Sequence, residues 1–141
     1  MAKKSQKTAL PEQVEGKFDF RTIKTFEDAC AKENIDPTLL PECSLLPEEF
    51  EKPIIAAYKL MIIFRAINNG WRPDWSNSSQ LKYYPWYRVL SSGFGFSVSH
   101  YYYDDSDTDV GSRLCTETTE KALYIAEQFK AEYQEYFLYP E

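Results

Sequence analysis

From Ile54 to Ile67 the chain reads Ile-Ile-Ala-Ala-Tyr-Lys-Leu-Met-Ile-Ile-Phe-Arg-Ala-Ile, apolar on nearly every side at helical spacing. A helix with no polar face cannot lie on a surface, so the rest of the chain must cover it on more than one side. The stretch is too short for a membrane span and carries Lys59 and Arg65, which makes it a central core helix. Pro47 suits a first helical turn, and Glu48, Glu49 and Glu51 favour the positive end of the dipole. Pro53 then either starts a new helix or kinks a single one. Asn68-Asn69-Gly70 closes the helix through a left-handed residue.

The covering layers follow from local signals. Thr25 caps a short helix with Asp28 at the reciprocal position, and Asn34 before Ile35-Asp36-Pro37 ends it. Ahead of it Phe18, Phe20 and Thr22 alternate with charged residues, as in a short strand or an extended arm. The loop with Pro37 and Pro41 is expected to turn Leu39, Leu40, Leu45 and Leu46 inward. Lys82 to Leu90 reads as a strand in which Pro85 implies an edge or a bulge, and Ser91-Ser92-Gly93 can turn. Phe94, Phe96 and Val98 alternate with Gly95, Ser97 and Ser99 and are expected to face the core. After the polar turn Asp104 to Asp109, Val110 to Cys115 alternates as a further strand. Thr118 caps a last helix whose stripe is Ala122, Ile125, Ala126, Phe129, Tyr133, Tyr136 and Phe137.

These signals sum to an α+β fold: an antiparallel meander of three to four strands, packed against the central and C-terminal helices, with a short N-terminal helix. Residues 1–16, polar and bearing Lys3, Lys4 and Lys7, are expected to form a flexible tail, and residues 17–141 one domain.

Composition narrows the function. The formal charge is −6, and it is more negative still beyond the lysines of the first ten residues. An acidic body repels a phosphate backbone, which argues against broad duplex binding. The three cysteines, Cys30, Cys43 and Cys115, lack zinc or redox spacing and read as reduced and buried. No signal peptide is expected ahead of the fold, and no membrane association. The single histidine, His100, has no motif around it, and no phosphate loop or metalloprotease motif occurs. The run Asp104 to Gly111 places acids at alternate positions from Asp105. Calcium-loop spacing would need Gly and Glu where Val110 and Thr116 stand. Catalytic residues, metal sites and cofactors are therefore not expected.

What remains is aromatic density between Tyr83 and Tyr103. Ser92-Gly93-Phe94-Gly95-Phe96 matches the centre of an RNA-recognition strand signature, but Ser92, Ser97 and Ser99 replace its basic, aliphatic and aromatic positions. With Phe94 and Phe96 inward, rings at the strand ends and edge must meet water. Tyr83, Tyr84, Trp86, Tyr87, Tyr101 and Tyr103, with Arg88 and Arg113 and the loop residues Trp71 and Trp75, are the candidate binding residues. Tyr, Trp and Arg dominate protein interface energetics, so another protein is the expected partner. Single-stranded nucleic acid held by stacking is the alternative, and a small enzyme centred on His100 with an acid or Cys115 a third.

Thr25-Phe26-Glu27-Asp28-Ala29-Cys30, Gly70-Trp71, Tyr83-Tyr84-Pro85-Trp86, Gly93-Phe94-Gly95-Phe96 and Val110-Gly111-Ser112-Arg113-Leu114-Cys115 resemble a family of small hypothetical proteins from phages and prophages of Bacteroidota. The resemblance runs from about Thr25 to Leu138 and implies a phage or prophage accessory role in a bacterial host cytosol. It implies no catalytic residue and no cofactor.

Overall fold

The computed structural model describes residues 17–90 and 95–140, without the side chains of residues 90 and 95–100. The expected tail over 1–16, the turn at Ser91 to Gly93, the inward facing of Phe94, Phe96 and Val98, and the side chain of His100 lie outside the described residues.

The chain is α+β. Its elements run α1 (Phe26–Glu33), α2 (Glu51–Asn68), β1 (Lys82–Leu90), β2 (Gly95–Asp104), α3 (Thr119–Gln128) and α4 (Lys130–Phe137). Short 3₁₀ turns at Phe20–Thr22 and Glu48–Phe50 precede α1 and α2. α1 starts where Thr25 Oγ1 accepts from the Asp28 amide at 3.0 Å, and Asp28 returns a carboxylate oxygen to the Lys24 amide. It ends on Asn34 in the left-handed region at φ 58°, with the Ile35 amide donating back to the Cys30 carbonyl.

α2 is the axis of the molecule. Leu60, Ile63, Phe64 and Ile67 have no exposed surface, and Ile62 and Ala66 are buried as well. Each such large side chain contributes about 1.5–3 kcal/mol by leaving water. α1 packs along one side of α2 and α4 along another, as the lack of a polar face requires. Pro53 neither starts nor kinks the helix. It occupies the first turn, whose amides have no intrahelical acceptor, so its missing N–H costs nothing there. Asn69 at φ 48° and Gly70 at φ 94° reverse the chain at the other end.

Three expected elements take other forms. Phe18 to Thr22 is not a strand: Asp19 accepts from the Arg21 amide and winds Phe20–Thr22 into a 3₁₀ turn. Phe20 then meets Tyr124 edge-on at 5.5 Å. The three- to four-stranded meander is, among the described residues, a two-stranded antiparallel sheet. Val110 to Cys115 is not a strand, because Thr108 Oγ1 accepts from the amides of both Val110 and Gly111 and Gly111 adopts φ 76°. The segment curls and reaches β1 only at Thr116, which exchanges two backbone hydrogen bonds with Tyr83. The last helix is broken at Phe129, whose ψ of 31° and φ of −114° separate α3 from α4.

The Pro-rich loop also differs. Leu39, Leu40, Leu45 and Leu46 are exposed rather than turned inward, Leu45 at 96%. Asp36 and Glu42 fold this loop on itself by accepting from the Thr38 and Ser44 amides, so its conformation is set by polar turns instead of burial. All three cysteines are free and buried.

Candidate functional site

β1 and β2 pair from Lys82 with Asp104 to Leu90 with Gly95, and the register shifts between Trp86 and Tyr87. Trp86 faces His100 while Tyr87 faces Val98, so β2 carries the extra residue of a bulge. Pro85 stands one residue before it, at a position where neither strand has a further full neighbour. Strand alternation then sorts the aromatics onto two faces.

One face carries Tyr83, Pro85 and Tyr87 with Tyr101 and Tyr103. Tyr83 meets Tyr101 at 5.6 Å and Tyr103 at 6.2 Å, both edge-on. Tyr87 points into the helical layer: its hydroxyl donates to the Ala126 carbonyl at 2.6 Å and its ring lies 5.1 Å from Tyr133. Burial, with a smaller contribution from Glu132, raises the Tyr87 phenol far above its ordinary value and keeps it a donor. Tyr87 therefore anchors the hairpin to α3 and α4.

The opposite face carries Lys82, Tyr84, Trp86 and Arg88 with Tyr102 and Asp104. Its Lys82 end is closed by loops. The Lys82 ammonium donates to the Asn77 carbonyl at 2.9 Å and the Asp105 carbonyl at 2.5 Å, and lies 5.1 Å from the centre of the Trp75 ring. Tyr84, 5% exposed, meets Tyr102 edge-on and donates to Asp109 at 3.2 Å. Burial and the repulsion of Asp104 and Asp109 raise its phenol far above the ordinary range. Of the candidate rings, Tyr84 is thus buried and Tyr87 half-buried against the helices rather than presented outward. Beyond Tyr84 the face opens: Trp86 is 39% exposed, Tyr102 51%, and Arg88 is exposed between strand neighbours.

The acidic turn is closed on itself. Asp104 accepts from the Asp109 amide, Asp105 from the Ser106 amide, and Asp109 from Tyr84. No group of three or more His, Cys, Asp or Glu among the described residues is placed to hold a metal ion. Burial pushes the Cys115 thiol up to about 12, with Asp104 adding to the shift, and burial also raises Cys30. Neither is a thiolate at neutral pH.

Trp71 and Arg113 lie away from the outer face, and Trp75 stands against its closed Lys82 end. Trp75 is half-buried with its indole N–H on Ser112 Oγ at 2.6 Å. Trp71, also half-buried, lines a cleft of about 910 Å³ at the C-terminal end of α2, together with Arg65, Arg72 and Arg113. The ten candidates thus separate into the packed pair Tyr84 and Tyr87, the hairpin surface, Trp75 against Lys82, and this cleft with Trp71 and Arg113. Two residues escaped the sequence reading. Tyr102 sits between two chosen tyrosines, and alternation alone places it opposite them, beside Trp86. Lys82 is wholly buried, which its type argues against and no local pattern signals.

Comparison with known proteins found no family model, no curated protein and no solved structure that matches this chain. No helix among the described residues is long and apolar enough to cross a membrane.

Proposed function

We propose that this chain is a non-enzymatic phage or prophage accessory protein that acts in the bacterial host cytosol by binding another protein through the outer face of its hairpin. The observation that carries this reading is the exposure of Trp86, Arg88 and Tyr102 on one face of a strand pair. These three residue types supply most of the energy of protein interfaces, and here they stand on paired strands anchored from behind by Tyr87. The residues beside them support the same reading, because Lys82 and Tyr84 are covered while Trp86 and Tyr102 on the same face are exposed.

The test is capture from a lysate of a Bacteroidota host with wild-type and Trp86→Ala baits, followed by titration of the captured protein. Truncating an interface anchor of this kind weakens binding by about 2 kcal/mol or more, roughly 30-fold. Tyr102→Ala and Arg88→Ala should weaken it too, with unchanged thermal midpoints. A partner held equally by all three variants would move the binding face elsewhere.

A further inference from the structure

We infer that the cleft at the C-terminal end of α2 binds a phosphate ester joined to a flat base, as in a nucleotide. The site is separate from the hairpin face and does not depend on the reading given to it. Three arginines, Arg65, Arg72 and Arg113, border one cleft in a chain whose formal charge is −6. The lone acid in its wall, Glu33, is already engaged by Arg65 Nε at 2.7 Å and Lys32 at 3.4 Å. Arg72 and Arg113 are exposed and meet no acid among the described residues. Arg72 and Arg113, like charges in one wall without a counter-charge, repel one another, and an anion between them removes that repulsion.

Asn68, also in the wall, is already engaged by the Cys115 carbonyl and the Thr116 hydroxyl, and the side chains left over can donate. Ser112 Oγ accepts from the Trp75 indole at 2.6 Å, which leaves its own proton for a further acceptor. Trp71, whose indole N–H meets no acceptor among the described residues, lines the same wall. A wall of guanidinium, hydroxyl and indole donors fits a ligand that only accepts. A carboxylate satisfies one guanidinium fork, whereas a phosphate monoester brings more oxygens and up to two charges to several forks at once. The half-buried Trp71 ring supplies a stacking surface, and a cleft of about 910 Å³ is within the usual range for small ligands. The acid excess of the whole chain favours a short anion over a long strand.

Tryptophan fluorescence titrations with AMP, adenosine, inorganic phosphate, an oligothymidylate and a glutamate-rich peptide test this at low ionic strength. AMP should bind at least about tenfold more tightly than adenosine or phosphate alone, because each holds only half of the recognised group. Arg72→Gln with Arg113→Gln should weaken AMP by about 10- to 100-fold, and Arg113→Lys by less than Arg113→Gln. Both side chains are exposed, so unchanged thermal midpoints will show that the variants remain folded. The salt dependence separates the sources: a slope of one or two phosphates identifies a free nucleotide, and a slope that grows with oligothymidylate length identifies a strand terminus. Either supports the phosphate-and-base site. AMP binding that survives the double substitution, absence of AMP binding, or tighter arginine-dependent binding of the glutamate peptide would overturn it.

Discussion

At the scale of single residues, the polar groups inside this protein act as joints between elements. Asn68, the last residue of α2, is buried, donates to the Cys115 carbonyl at 2.9 Å and accepts from Thr116 Oγ1 at 2.6 Å. Thr116 is the residue whose backbone pairs with Tyr83 of β1. One amide side chain therefore ties the central helix to the crossing segment and, through it, to the sheet. Asn68→Ala leaves a buried carbonyl and a buried hydroxyl without partners, which costs about 1–3 kcal/mol for each group so orphaned. Thr116→Val removes the hydroxyl and leaves Asn68 its bond to Cys115, so it should cost less. Chemical denaturation of both variants and the double variant checks this. Strictly additive losses would show that the two side chains do not act as one joint.

At the scale of elements, the hairpin needs its supports, because two strands alone are marginal in water. α3 packs behind both strands, and Tyr87 joins them to α3 through the Ala126 carbonyl and to α4 through the Tyr133 ring. Tyr87→Phe should cost about 1 kcal/mol for the lost hydrogen bond, and Tyr87→Ala about 3–5 kcal/mol for the lost ring. Amide exchange in β1 and β2 should rise more than in α2 in the alanine variant; uniform acceleration would mean that the hairpin does not open separately. The elements legible in the sequence were those whose causes are local. Thr25 with Asp28, Asn34, Asn69-Gly70 and Thr118 end or begin helices through contacts a few residues apart. The Ile54 to Ile67 run is buried because no other placement suits it. The misread segments depend on distant partners or on side chains that compete with the ladder. Thr108 takes the amides that a strand over Val110 to Cys115 would have used. Phe129, 2% exposed, keeps its place in the helical stripe while the backbone bends there; the stripe is buried from Ala122 to Tyr133, but Tyr136 and Phe137, expected in the core, are exposed. For the candidate site, residue type points to the tyrosines, but the register puts Tyr84 and Tyr102 on one face, and tertiary packing that no local pattern signals buries the first and leaves the second exposed.

At the scale of the whole molecule, charge is laid out along α2. Glu48, Glu49 and Glu51 gather at its N-terminal end, where Glu135 joins them across a second cleft, and Arg65, Arg72 and Arg113 gather at the other end. This sense agrees with the helix dipole at both ends. A second charge rule holds for the packed thiols and phenols, which stay neutral, whereas the buried Lys82 ammonium is held by two backbone carbonyls. Burial is the largest cause of the raised values of Cys30, Cys115, Tyr84, Tyr87, Tyr124 and Tyr133. In the unfolded chain such thiols lose their protons near 9.0 and such phenols near 10.0, while the folded protein still holds them. The folded state then binds more protons, so stability falls as pH rises through this window. On the acid side, Asp36, Asp74, Asp105 and Glu42 are lowered by hydrogen bonds from their own turns, so their contribution is lost as pH falls below the ordinary carboxylate range. Urea midpoints should accordingly be level between about pH 6 and pH 8, begin to fall near pH 9 and fall more steeply above pH 10. In Cys115→Ala the absolute midpoint drops, but the decline between about pH 9 and pH 10 becomes shallower, because one of the buried thiols that produce it is gone. Midpoints that stay level to about pH 11, or a decline of unchanged slope in the variant, would show that these protons are not retained by the fold.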